Sequence, residues 1–186
     1  MPEGEFKVKQ LLAVSRAIDW ANEKIGWVCN LLVLIACVVS AANAMSRYAF
    51  SISSNAYLEM QWYMFAVLVM FGASYTLKRN EHVRVEIFYL FLTERGQLWL
   101  DLIGTIVFLI PISLLMIYLS WPFFKESYQT GEWSSNAGGL LRWPIKFVIP
   151  GGFGMLALQG FSEAIKRAAA LMGVVHIDTH YERPTQ

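Results

Sequence analysis

The sequence predicts an all-α integral membrane protein: four transmembrane helices plus an N-terminal and a mid-chain interfacial amphipathic helix, with both termini cytoplasmic. Three observations carry this expectation. Of the 186 residues, 56% are hydrophobic and only 16% are charged, against roughly 25% charged in an average soluble domain. The apolar residues gather into four blocks nearly free of charge, and the 15 basic and 14 acidic side chains lie almost wholly between them. The blocks are continuous runs longer than a barrel strand and without in/out alternation, which argues against strands. The apolar content excludes intrinsic disorder, and a net charge of +1 leaves no basic excess for nucleic acid.

Taken in chain order, residues 6–24 place Leu11, Leu12, Ser15, Ile18 and Ile25 at helical spacing with charges opposite. That is the pattern of a helix lying in the headgroup plane or against a partner. The segment mixes Lys7, Lys9, Arg16 and Lys24 with Glu3, Glu5, Asp19 and Glu23. No short apolar stretch with a small-residue cleavage site precedes the first span, so it does not read as a cleaved signal peptide. A span needs about 20 mostly apolar residues. The uncharged run 25–46 predicts a first span over 25–48. Its Cys29 and Cys37, eight apart on a helix, are too distant for a disulfide and read as small apolar filler. The run 60–77 predicts a second span over 57–78. In residues 84–99, Ile87, Phe88, Phe91, Leu92, Leu98 and Trp99 oppose Glu86, Thr93, Glu94 and Gln97, a second interfacial helix. The run 102–124 predicts a third span over 101–124. The shorter run 147–162 predicts a short fourth over 146–166, extended by Ala164 and Ile165 and by snorkelling neighbours. The chain reads as a single membrane domain over 1–186, ending in a flexible tail from 173.

Orientation follows the excess of Lys and Arg on the cytoplasmic side. The N-terminal segment, the 78–101 loop and the tail hold 11 of them, against 4 in the other two loops. Both termini are therefore expected to be cytoplasmic. Trp20, Trp27, Trp62, Trp99, Trp121 and Trp143 fall near the proposed interfaces, and Trp133 alone lies well outside.

Chemistry has few footholds. Asn30, Ser40, Asn43, Ser74, Thr105, Ser113 and Gln159 are the main polar residues inside the blocks, and each reads as a partner for a neighbouring helix or its own backbone. No acid, base or Arg sits at mid-span, which argues against a proton-coupled pump working alone and against a small exporter with a carboxylate in its first span. No span contains the paired histidines of a haem bundle. His176 and His180 stand four apart but in the tail, so they read as solvated rather than as a zinc site. With no phosphate loop, nucleophile elbow or Cys/His cluster, the expectation is no enzyme, no cofactor, no metal and no catalytic residue.

What remains unusual is clustered. Glu59-Met-Gln61-Trp62-Tyr63 opens the second span and Gly72-Ala73-Ser74-Tyr75 closes it. Lys78-Arg79-Asn80-Glu81-His82-Val83-Arg84-Val85-Glu86 follows, with His82, Arg84 and Glu86 two apart, as on one side of an extended segment able to tie helix ends to each other or to a partner. At these residues the chain resembles the small membrane subunit (DctQ-like) of tripartite ATP-independent periplasmic (TRAP) transporters. The family pattern is a Glu and aromatic start to the second span, a Gly-Ala end, basic residues and a His-Val-Arg-Val-Asp run. Here Glu86 replaces the commoner Asp. Residues 99–104 and 144–152 are also similar to the family, so the likeness covers most of residues 15–167.

The resemblance implies a partner-dependent role in the bacterial inner membrane. A periplasmic substrate-binding protein captures an organic anion, and a large TRAP membrane subunit carries it inward with sodium. The small subunit braces that large subunit within the membrane lipid and helps dock the binding protein. On this reading Glu59, Gln61, His82, Arg84 and Glu86 are candidate structural or partner contacts. The outer loops, 48–58 and 125–146, are candidate docking surface, with Glu126, Tyr128, Glu132, Trp133 and Arg142 their aromatic and charged mixture. The competing expectation is a membrane anchor or accessory subunit of a membrane enzyme complex.

Overall fold

The computed structural model describes residues 3–52, 54–81 and 92–175, with side chains from residue 8. Four long helices make up the described chain: α1, Glu3–Phe50; α2, Asn55–Arg79; α3, Glu94–Thr130; and α4, Trp143–Leu171. No strand forms among the described residues; the only β pairing is an isolated antiparallel bridge between Trp133 and Leu141. α4 is the hub. α1 and α2 pair with each other and both pack on α4, and α3 packs on α4 as well.

α1, α2 and α3 are long and apolar enough to cross a membrane. α4, with 29 residues, is not among them, and its composition explains why. Pro150, Gly152, Gln159, Ser162 and Glu163 dilute its apolar content, and all five are buried against the other helices. The interior is correspondingly polar. Among the described residues seven hydrophobic side chains are buried, but twelve polar or charged ones are. Large apolar side chains such as Leu34, Phe65, Phe108 and Leu119 are left outside. This inverts a water-soluble core and suits a surface bathed in hydrocarbon, where burying apolar groups brings no solvent gain.

Two helix boundaries differ from the sequence expectation. α1 runs unbroken through residues 24 and 25, so the amphipathic segment and the first apolar block form one rod of about 72 Å, well beyond the ~30 Å of a hydrocarbon layer. Its inward face keeps one register across the junction: Ser15, Asn22 and Cys29, seven apart, are all buried. At α3, Thr93 caps a helix that starts at Glu94, its hydroxyl accepting the Gly96 N–H at 3.3 Å. Residues 94–99 are thus the first turns of α3, and residues 84–91 of the expected interfacial helix lie outside the described residues. The third loop is short because α3 continues to Thr130 and α4 opens at Trp143 with Pro144 in its first turn. Of the tail, only residues 173–175 are described.

Small residues let the helices meet closely. A Cβ on Gly152 would stand 3.0 Å from the Met70 backbone of α2, and one on Gly160 would stand 2.4 Å from Leu109 Cδ2 of α3. The α3 surface facing Gly160 is a π-turn, Thr105–Leu109, in which Ile110 N–H reaches back to the Thr105 carbonyl. Pro111, which has no N–H to continue the ladder, follows at once.

Candidate functional site

Two polar constructions sit at opposite ends of the bundle. The first is a layer joining all four helices near the start of α1, the end of α2, the start of α3 and the end of α4. Its centre is Gln159, fully buried, whose amide is used completely. The carbonyl accepts from Asn22 Nδ2 at 2.7 Å, and the NH2 donates to Asp19 Oδ1 at 2.9 Å and Glu163 Oε1 at 3.0 Å. Asn22, equally buried, also donates to the Ile18 carbonyl and accepts from the Ser74 hydroxyl at 2.5 Å, which draws α2 in. The Ser15 and Ser162 hydroxyls meet at 2.7 Å, and Ser162 donates to Asp19 Oδ1 at 2.9 Å.

Charge closes the layer. Lys166 pairs with Asp19 at 3.1 Å and with Glu163. Arg167 bridges Glu163 at 3.1 Å and Asp101 of α3 at 3.2 Å. At the rim Glu23 of α1 receives Lys78 and Arg79 of α2, and Arg79 also donates to the Tyr75 hydroxyl at 3.0 Å. Four acids (Asp19, Glu23, Asp101, Glu163) thus face four bases (Lys78, Arg79, Lys166, Arg167), and the layer is neutral. In this neutral layer every central amide and hydroxyl is partnered across helices. Its chemistry is that of a clamp.

The second construction is at the other end, where residues 131–142 fold as a tight hairpin. Arg142 N–H donates to the Glu132 carbonyl at 2.8 Å and Ser134 N–H to the Leu140 carbonyl at 3.0 Å. Three residues of α2 at i, i+4 and i+8 grip it. Asn55 Nδ2 donates to the Ala137 carbonyl at 3.0 Å, and the Tyr63 hydroxyl donates to the Leu141 carbonyl at 2.9 Å. Between them Glu59, only 4% exposed, accepts from Leu140 N–H at 2.7 Å, from Asn136 Nδ2 at 2.9 Å and from the Ser134 hydroxyl. Glu132 pairs with Lys146 at the start of α4. Lys146 donating to it, reinforced by the charge of Lys146 and Arg142, holds the Glu132 carboxyl below its ordinary range. Aromatic rings fasten the neighbouring helix ends: Phe124 meets Phe147 at 5.2 Å, and Tyr128 stands edge-on to Trp143 at 5.4 Å. On this frame Trp133 is 64% exposed.

The candidate residues fall as follows. Glu59 binds the hairpin of its own chain. Gln61 is half-buried and lines a groove between α1 and α2. His82, Arg84 and Glu86 lie outside the described residues, as do His176 and His180. Glu126 and Tyr128 stand exposed on the last turns of α3, Trp133 stands exposed in the hairpin, and Glu132 and Arg142 are half-buried at its base. Among the described residues no group of three or more His, Cys, Asp or Glu could hold a metal ion. Ser74 and Gln159 bond to neighbouring helices as the sequence predicts, whereas the sequence does not mark Asp19, Asn22, Glu163, Lys166 and Arg167 as members of one layer. The available signal was the seven-residue recurrence of small or polar residues at 15, 22 and 29, a pattern that marks the buried face of a membrane helix.

The family model for the DctQ component of tripartite ATP-independent periplasmic transporters matches residues 35–170. No curated protein and no solved structure matches the chain.

Proposed function

Because the chain belongs to the DctQ family, a component of tripartite ATP-independent periplasmic transporters and not an enzyme, we propose that it is the static scaffold of a sodium-coupled carrier of organic anions. Its partners are a large membrane subunit, which it braces, and a periplasmic substrate-binding protein, which it helps to dock. The observation that carries this reading is the closed polar layer. Four helices are tied to one another by buried, mutually bonded side chains, while the bundle turns its large apolar residues outward. A part that must resist the motion of a neighbouring domain needs that kind of internal rigidity and that kind of surface.

All four helices cross the inner membrane in this proposal. α4 crosses at the centre of the bundle, so its inward polar residues meet protein instead of lipid. The Lys and Arg excess puts both termini and the polar layer on the cytoplasmic side, and the hairpin in the periplasm. Trp133, held up by the α2 grip, is then the natural anchor for a transient partner, with Glu132 and Arg142 beneath it. Affinity of the purified membrane complex for its binding protein tests the docking role. The paired substitution Glu132→Ala and Trp133→Ala is expected to weaken it by about tenfold or more, the effect of losing one hot-spot residue. Unchanged affinity and uptake would remove the hairpin from the docking surface.

A further inference from the structure

Near the hairpin end, α1 and α2 leave an open groove of about 540 Å³. Arg47 is the one charged residue between Lys24 and Glu59, and it lines this groove together with Ser40, Asn43 and Gln61. None of the four is bonded to another described side chain or backbone group, and no acid lines the groove. Ser40, Asn43 and Arg47 share one face of α1 at i, i+3 and i+7, so the cation stands about 10 Å along the helix axis from the innermost hydroxyl. Helix-dipole compensation accounts for a basic residue in the last turn of α1. It does not account for the amides and hydroxyl aligned inward of it on two helices.

We propose that this groove is a phospholipid site. The Arg47 guanidinium pairs with the phosphodiester, a fork geometry suited to phosphate oxygens. Asn43, Gln61 and Ser40 donate to the glycerol ester carbonyls inward of it, and Ala44 and Leu58 are the apolar lining between the cation and these donors. The order from the cation at the helix end to the neutral donors inward of it follows the order of phosphate and glycerol ester in a lipid leaflet. A free phosphate ion would use Arg47 alone and leave the deeper donors unmatched.

Native mass spectrometry of the full chain, purified in mild detergent and delipidated, tests the site by titration with three probes: phosphatidylglycerol, diacylglycerol with the same acyl chains, and inorganic phosphate. One phosphatidylglycerol is expected to be retained per chain. Arg47→Ala should weaken it about tenfold, the size of one charge-assisted hydrogen bond, and Arg47→Lys should weaken it less. Gln61→Leu, which leaves the charge in place, should weaken it about threefold and keeps the question open if Arg47→Ala fails to fold. Diacylglycerol should bind at least about tenfold more weakly for want of the phosphate. Equal retention of phosphatidylglycerol by the wild type and both weakened variants would overturn the proposal, as would equal retention of diacylglycerol or displacement of the lipid by inorganic phosphate. Loss of a co-purifying membrane subunit from Arg47→Ala with lipid retention unchanged would assign the groove to a protein carboxylate instead.

Discussion

Gln159 is valuable in its place because it is fully used. One carbonyl and two N–H groups meet an amide from α1, a carboxylate from α1 and a carboxylate from its own helix. Leucine fills a similar volume but strands Asn22, Asp19 and Glu163 in a closed interior, and buried groups left unpaired cost about 1–3 kcal/mol each way they are left. Gln159→Leu should therefore lower stability in detergent by at least about 2 kcal/mol, read as a fall in the denaturant midpoint; a midpoint equal to wild type would contradict the clamp. Glu132 behaves differently because it sits outside the spans. Its carboxyl is held below the ordinary glutamate range, first by the Lys146 hydrogen bond. The stabilisation it gives the hairpin is thus fully present above the unfolded value, about 4.3, and is lost as pH falls through the lower folded value. Trp133 emission should stay constant from neutral pH down to the carboxylate range and shift only below it. Glu132→Gln should remove that transition.

At the level of helices and loops, the α2 start and the 131–142 hairpin form one unit. Asn55, Glu59 and Tyr63 make their contacts from successive turns of a single face. Glu59 supplies the most bonds, so Glu59→Ala should release the hairpin: limited proteolysis within 132–141 should speed up several-fold while the helical circular dichroism stays unchanged. An unchanged cleavage rate would show that Asn55 and Tyr63 suffice. Glu59 also shows what the sequence could and could not disclose. A carboxylate opening an apolar block stands out on its own, but its partners are Ser134, Asn136 and the Leu140 backbone, 75 to 81 residues away, and no local pattern reaches them. The apolar blocks were legible because hydrocarbon demands long runs of one character. The face of α1 was harder to read. In water, a stripe of Leu and Ile marks the inside and polar residues mark the outside. In this bundle Leu11 is exposed while Ser15 and Asn22 are buried, so the amphipathic rule applied to residues 6–24 missed the polar inner face, although it included Ser15 in its stripe. Continuity of α1 past residue 24 was hidden for the same reason: the change in composition there is a change of surroundings, with no helix-breaking residue to end the rod.

Across the whole molecule, α4 stands between an α1–α2 pair and α3 and touches each. The glycines at 152 and 160 bring its backbone close to two neighbours, and the polar layer locks the ends that the glycines bring together. Removing α4 would leave α1 and α2 paired only with each other and strip Ser15, Asp19 and Asn22 of the partners α4 supplies, so the helix with the weakest membrane signal is the one that joins the assembly. The layer and the hairpin grip lie at opposite ends of this hub, which gives the subunit one rigid frame from face to face. On the scaffold proposal, such a frame supports a moving neighbour by not moving itself. Locking it tests that idea most directly. The Ser15 and Ser162 hydroxyls, on α1 and α4, are 2.7 Å apart. The pair Ser15→Cys and Ser162→Cys, in a chain with Cys29 and Cys37 replaced by alanine, can be cross-linked by oxidation within the assembled three-part transporter in liposomes. Uptake of the transporter's substrate should be the same in the oxidised and reduced states. A fall in uptake on oxidation that reductant restores would show that these helices move during transport and would contradict the scaffold account.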